Sequence, residues 1–479
     1  MSDLSFKYVK FVSGFVAIVI AACVLNFNRA VGLLVISLVT VFFLVWDWMM
    51  ERYGDRLWEE LSPIRDLLSR NWIMYVLLLV AVVCWLALDT AQQGTRHLVS
   101  FFGLLLLIFL MLLFSKHPFR VKDWCSQTLL CGIGLQFVFG LLILRTTFGL
   151  VGVEWLGKQA EVLTHTQTHK QIHTDRSFQW IVLPILVFLS SIISILYYIG
   201  FMPWLICKIG FMMQVTMGTS PAESMAAAGN IFLGQAESPL LIRPYINGLT
   251  SSEIHAVMTG GFASVSGTIL GAYISFGVEA THLLTASVMS APASLAIAKM
   301  FWPETETRSV TARESKNLLE AASHGASCAV GLVANIVVNL IAFMAIFTFF
   351  DTAVSWLGGM FDCPQLNFSL ICSYMFMPLS FMMGVSWEDS FIVAELIGTK
   401  TFINEFVAYH KLSEFIVRRK AGGPEYVDNI KQYISVHSET IATYALCGFS
   451  NFASLGMSIG ALCKCHLSCE KGQTDKLDN

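Results

Sequence analysis

Eleven stretches of this chain contain no Asp, Glu, Lys or Arg: Phe11–Asn28, Ala30–Trp46, Asn71–Leu88, His97–Ser115, Trp124–Leu144, Ser177–Cys207, Ile254–Val278, Ala280–Ala298, Ala321–Phe350, Cys363–Trp387 and Thr440–Cys463. Each is close to or beyond the ~20 mainly apolar residues that carry a helix across a bilayer core. One such run would fit a buried helix of a soluble domain. Eleven in 479 residues leave membrane insertion as the workable reading. Lipid offers backbone groups no hydrogen-bond partner, so the runs must be helical. The expected fold class is therefore an all-α polytopic membrane protein. Charged residues make up 13% of the chain, against about 25% in soluble domains. A net charge of −3 says little about partners, and no basic patch points to nucleic acid. The implied environment is membrane lipid.

The first run follows Lys7 and Lys10, lacks a clear small-residue cleavage site and is long enough to span. It reads as a retained anchor. Basic residues then alternate between loops. Arg52, Arg56, Arg65 and Arg70 lie between spans two and three, and Lys116, Arg120 and Lys122 between spans four and five. The intervening loops hold only Arg29 and Arg96. The positive-inside rule places the richer loops, and the N-terminus, in the cytoplasm. The 12 cysteines are scattered through apolar runs, which suggests core filling rather than a disulfide framework.

The texture changes along the chain. Residues 1–123 hold N-terminal spans that read as scaffold. Residues 124–218 give a further span, a polar segment and another span. From 219 to 300 the apolar runs are interrupted by Gly, Pro, Asn and carboxylates, as helices broken at a binding site are. SPAESMAAAGNIFLGQAESPLLIRPYI reads as two short halves meeting near Gly234 and Pro239, a re-entrant hairpin. A span over 254–278 with a Gly-rich middle follows, then one over 280–298. Residues 301–386 connect this region to a second of the same kind, 387–462. There WEDSFIVAELIGTKTFINEFVAYHKL reads as a hairpin turning around Gly398 to Thr401, and a span over 440–462 is interrupted at CGFSNFASLG. A hairpin followed by a broken helix, twice, suggests an inverted repeat with the site at its interface. The second repeat has no closing span, and a polar tail fills 463–479.

Glu237 and Glu405 stand in the two hairpins. A carboxylate at membrane depth costs roughly 2.5–3.5 kcal/mol on insertion scales and marks a functional site by default. The alternative is that both sit in water at the hairpin tips. Gln235 and Asn404 beside them bring amides that suit the edge of a nucleobase, while a carboxylate suits a vicinal diol. Asn451 and Ser454 lie three apart on one helix face. Phe449 either covers a sugar or base face or packs in the core. Asn230 and Thr268 offer hard oxygen ligands near chain breaks, where a sodium ion would sit.

The stretches GNIFLGQAESPLLIRPYI, GTILGAYISFG, LLTASVMSAPASLAIAKMFWPETE, GTKTFINEFVAY and SETIATYALCGFSNFASLG closely resemble the concentrative nucleoside transporters, specifically the animal branch, over roughly residues 30–462. The resemblance implies a plasma-membrane homotrimer in which scaffold spans support a moving transport domain, with elevator-like alternation. It implies sodium-coupled nucleoside symport, with sodium as coupling ion and no other cofactor. Carried over by position, Gln235 and Glu237 bind the nucleobase, and Glu405 binds ribose. Phe449, Asn451 and Ser454 serve the sugar. The sodium ligands are Asn230 and Thr268 by side chain and Leu233 and Ile269 by backbone carbonyl.

Some features depart from the family. Ala236 stands where many members carry Thr or Ser, and Thr268 replaces a common Ser; together these lean towards purine nucleosides. His165, His169 and His173 recur every four residues in a polar stretch, a spacing that can bind zinc. No complete ligand set of fixed geometry is evident, so a solvated external loop is the expectation. The family's final helix is absent after SLGMSIGAL, which predicts a cytoplasmic C-terminus. It raises the alternative of a truncated, transport-deficient variant that modulates full-length subunits. Cys463, Cys465 and Cys469 suit palmitoylation or, with His466, a metal; an inert tail is the expectation. A membrane enzyme would need a nucleophile–base pair or a metal cluster, and the sequence offers neither near Glu237 or Glu405.

Overall fold

A computed structural model of the protein describes residues 95–116, 121–146, 201–235, 238, 242, 248–305, 345–346, 348–361, 366–427, 430–452 and 454–455. All fall in one of the two units into which the chain divides, 82–479. The first three expected spans lie outside the described residues, as do the polar stretch with His165, His169 and His173, Glu237, and everything after 455.

Helices dominate. Helices α1 (Thr95–Leu113) and α2 (Val121–Arg145) coincide with the fourth and fifth charge-free runs. Helix α3 (Phe201–Met217) leads at Gly218 into a short helix, α4 (Pro221–Gly229). Helices α5 (Ser251–Ala263) and α6 (Gly267–Ser275) share the run expected as one span, and α7 (Ala280–Phe301) follows. After α8 (Phe368–Met382) the chain bends by 120° into α9 (Trp387–Phe402). Helix α10 (Glu405–Lys420) comes next and α11 (Val436–Leu446) closes the set. Thr128–Arg145 and α7 are long and apolar enough to cross a membrane, and the bent pair α8–α9 adds a third candidate. A two-residue β-ribbon, β1 (Tyr426–Val427) with β2 (Ile430–Lys431), departs from the all-α expectation. It is antiparallel, with Tyr426 opposite Lys431.

The helix starts are capped by their own sequence. Ser220 and Thr250 form capping boxes with Glu223 and Glu253, so each carboxylate accepts from the cap backbone N–H while the cap hydroxyl accepts in return. Ser266, Asn367, Asn404 and Ser435 cap α6, α8, α10 and α11 through side-chain oxygens. Orphan N–H groups cost more where water is excluded, so these caps mark where helices can begin inside an apolar protein.

Two cores result. One joins α3, α4, α5 and α7 around Ile206, Met213, Leu295 and Ala228. The other joins α6, α9, α10 and α11 around Tyr273, Tyr409, Leu396 and Leu412. There the rings of Tyr273 and Tyr409 lie 4.2 Å apart, and the Tyr409 hydroxyl donates to the Thr443 carbonyl at 2.9 Å. The opposite pattern appears on α1 and α8, where Phe102 (65% exposed), Phe109, Tyr374 and Met375 face outward. A water-soluble surface rarely carries so continuous an apolar face, and a bilayer accounts for it.

The starts of α4 and α9 are pinned by buried charge. Glu223, third residue of α4, pairs with Lys299 Nζ at 2.7 Å. That ammonium also donates to Ser252 Oγ at 3.0 Å and to Glu304 at 3.1 Å. Asp389, third residue of α9, pairs with Lys431 at 2.7 Å and accepts from the hydroxyl (2.9 Å) and N–H (3.2 Å) of Ser435. Partial burial works against the Lys431 ammonium, but the hydrogen bond and charge of Asp389 outweigh it and hold it above the ordinary lysine range.

Candidate functional site

Among the described residues, Asn230, Gln235, Glu405, Asn451 and Ser454 gather at two interruptions. The first separates α5 from α6 at Ser264–Ser266. Ser264 has an extended backbone, and Ser266 starts α6 with its hydroxyl accepting from Ile269 N–H. The turn after α4, residues 230–235, is sewn onto this break. Gly267 N–H donates to the Phe232 carbonyl at 3.0 Å. Ser287 Oγ on α7 reaches the Ile231 carbonyl at 3.0 Å and the Val265 carbonyl at 3.4 Å. Gly260 and Gly261 make the approach possible. A Cβ on Gly260 would stand 2.7 Å from Asn230 Nδ2, and one on Gly261 would stand 3.1 Å from the Gln235 Cβ.

Asn230 is fully buried, and neither its Oδ1 nor its Nδ2 has a protein hydrogen-bond partner. Leaving a buried polar group unsatisfied costs roughly 1–3 kcal/mol, so such an atom calls for an explanation. Leu233 and Ile269 are buried on either side of the break. Gln235 is buried as well. Thr268 belongs to α6, but its side chain lies outside the described residues.

The second interruption surrounds Glu405. Helix α9 ends at Phe402, and Asn404 starts α10 by accepting the Val407 N–H at 3.0 Å. Asn404 Oδ1 is therefore a helix cap. Glu405 opens α10 at 3% exposure, and Asn451 Nδ2 donates to its Oε2 at 2.6 Å. Asn451 Oδ1 in turn accepts from Ser454 N–H at 2.7 Å, so both functions of this amide are committed. The Tyr273 hydroxyl on α6 lies near the same carboxylate without closing a well-formed hydrogen bond. Ser454 is buried. Phe449 packs inside the α6–α9–α10–α11 core, so of its two sequence readings the apolar one describes its surroundings.

Sequence reasoning assigned no role to Lys400 or Gly448. Lys400 is 5% exposed in the last turn of α9, and its Nζ donates to the carbonyls of Ala445 (2.9 Å) and Cys447 (3.0 Å) at the end of α11. The readable signal was a lone cation in an apolar half-helix. Gly448 has φ +96°, and a Cβ there would meet the Phe262 carbonyl oxygen at 2.6 Å. The chain turns there in a conformation other residues disfavour, and the end of α11 presses directly on the end of α5. Tyr273 and this contact join the two polar groups into one region. Among the described residues no cluster of His, Cys, Asp or Glu could hold a metal ion.

A helical membrane protein with two interrupted segments around an enclosed polar centre has the make-up of a secondary transporter. The comparisons with known proteins narrow this class. Three family descriptions match in succession: "Na+ dependent nucleoside transporter N-terminus" over 102–168, "Nucleoside recognition" over 180–280 and "Na+ dependent nucleoside transporter C-terminus" over 282–471. The chain is 57% identical to solute carrier family 28 member 3 of Rattus norvegicus, the match covering 94% of this chain and 66% of the rat protein. It is 46% identical to sodium/nucleoside cotransporter 1 of Homo sapiens, over 94% of this chain and 71% of that protein. Among solved structures it resembles CNTnw in an inward-facing substrate-bound state (TM-score 0.69, 34% identity, 77% of this chain and 90% of that one). A variant of CNTnw in an outward-facing state gives a TM-score of 0.68 at 33% identity, over 77% of this chain and 90% of that one. The chain belongs to the Na+-dependent nucleoside transporter family. It spans 66% of the length of the rat and mouse relatives.

Proposed function

We propose that this chain takes up nucleosides together with sodium, working as a homotrimer in the plasma membrane with its N-terminus in the cytoplasm. The observation that carries the reading is the buried Glu405–Asn451 pair, set where the α9–α10 turn meets the end of α11. At 16 residues each, α9 and α10 are about 24 Å long, short of a bilayer core of about 30 Å. They form one re-entrant hairpin, and α4 with its following turn opens the other. Helices α5–α6, and α11 with the segment after it, are the broken helices of an inverted repeat. The loaded repeat pair moves past the scaffold in an elevator-like alternation.

Glu405 accepts hydroxyl hydrogens from the ribose diol, with Asn451 and Ser454 alongside and Phe449 backing them. Gln235 and Glu237 address the base. Ala236 and Thr268 favour purine nucleosides. Sodium, a cargo ion, goes to Asn230 and Thr268 with the carbonyls of Leu233 and Ile269. The unpartnered Asn230 Oδ1 is the hard oxygen such an ion requires. Coupling follows from its energetics. Asn230 Oδ1 has no protein donor, and a cation there satisfies that buried acceptor. Sodium binding therefore stabilises the turn that presents Gln235, and nucleoside binding reciprocally favours sodium.

Uptake of labelled adenosine and uridine by cells expressing this chain, in sodium and in choline media, tests the proposal. Sodium-dependent accumulation with adenosine preferred is expected. Equal uptake in both media, or none from a chain present at the surface, overturns it; uridine winning overturns the purine preference alone.

A further inference from the structure

The two interruptions are treated differently by the chain itself. At the first, the residue at the end of α4 is Asn230, a neutral amide set against Gly260 of α5 with no protein hydrogen-bond partner for its side chain. At the second, the residue near the end of α9 aimed at the end of α11 is Lys400, whose ammonium holds two main-chain carbonyls. The last carbonyls of a helix lack intrahelical donors and carry the negative end of its dipole. An unwound or terminal helix end of this kind is where membrane transporters bind coupling cations.

We propose that Lys400 is a tethered cation and a positioning residue: its ammonium does permanently at the end of α11 what a free sodium ion does reversibly at the break between α5 and α6. This rests on the transport reading above. Holding Ala445 and Cys447 fixes where Gly448 turns, and hence where Phe449 and Asn451 stand against Glu405. The sugar side of the site is thereby held by a cation that is part of the chain, while the base side takes its cation from solution. The end of α11 is then not a place for a free ion, because an ammonium already fills it.

The test replaces Lys400 by Met, of similar length and no charge, and by Ala, which leaves space, in the full chain. Lys400→Met should raise the adenosine KM roughly tenfold, the effect of losing a hydrogen bond from a charged donor, at unchanged surface level. Lys400→Ala should recover affinity in high sodium or in added methylammonium, and its sodium activation should become steeper, since an ion now enters at the α11 end. A merely structural lysine would not change the steepness of sodium activation. Lys400→Met with the parent's KM and sodium curve overturns the assignment. Hydrogen exchange on the unmodified protein decides the matter even where both variants fold poorly. Sodium without nucleoside should protect amides in 229–235 and 264–269 and leave 445–451 unchanged; equal protection of both overturns the proposal. Failure of the unmodified chain to show sodium-dependent uptake would instead strike the transport reading on which this one stands.

Discussion

The first repeat region and the second are fastened alike at the foot and unlike at the tip. In both, the third residue of the leading helix is a buried carboxylate, Glu223 or Asp389, and in both a lysine meets it at 2.7 Å. A serine in the opening of a later helix, Ser252 or Ser435, completes each cluster. The lysines come from unrelated places: Lys299 from the end of α7, Lys431 from the β-ribbon ahead of α11. The same mechanical need, joining the start of one helix to the start of a later one, has been met by whichever segment lies near. The far ends diverge, with the Asn230 side chain lacking a protein hydrogen-bond partner and Lys400 holding two main-chain carbonyls. Foot symmetry with tip asymmetry is what a device needs if one arm is to respond to an ion and the other to stay put.

The strongest attack on this comparison is at the first foot. Lys299→Met leaves Glu223 buried without its counter-charge, which should destabilise by about 3–5 kcal/mol. A large fall in thermal stability of the purified protein, with little folded material recovered, is the expected result. Next is Glu405→Gln, which keeps the shape but removes the charge that Asn451 answers. A loss of roughly 1.5–3 kcal/mol in nucleoside binding, about 10- to 150-fold in Kd, should appear by isothermal titration while stability stays close to the parent's. If Glu405→Gln bound as well as the parent, the second tip would not be the sugar side.

Lys431→Met likewise strands a buried carboxylate, but Asp389 keeps two hydrogen bonds from Ser435, so the loss should be milder than for Lys299→Met, about 3 kcal/mol, the low end for a broken buried pair. The sign of its pH dependence is fixed. A lysine whose folded value is raised stabilises fully below its unfolded value and loses that contribution only as pH climbs through the raised one. The deficit should therefore be constant across neutral pH in chemical denaturation, and equal losses at the two feet would break the distinction between them. The smallest effect is expected from Gln235→Ala, a shift in the adenosine-to-uridine uptake ratio with sodium dependence intact. Uniform loss for every nucleoside would remove the division between base side and sugar side.

Much of this was legible in the sequence, and the misreadings share one cause. Charge-free runs located α1, α2 and α7, and the interrupted texture located both polar regions. The breaks themselves were sought at glycines. The second hairpin was expected to turn around Gly398 to Thr401, yet the helix runs on to Phe402. Gly398 is spent instead on close approach to Cys372, and the turn falls where Asn404 can cap α10. Likewise Gly260 and Gly261 lie inside α5, admitting Asn230 and Gln235, while the interruption belongs to Ser264–Ser266. In an apolar protein a glycine marks where something packs, and a capping side chain marks where a helix starts. Lys400 was missed because one lysine in the last turn of a helix looks incidental until its two carbonyl partners, 45 and 47 residues away in sequence, are in view.

The contact of Gly448 with the Phe262 and Ala263 backbone has a consequence for how this chain can change. The two halves of the site share a party wall with no thickness to spare. A residue gaining even a methyl group at that point would displace the ends of α5 and α11 together. A change on one side of the wall is therefore felt on the other, and the two sides cannot be altered one at a time.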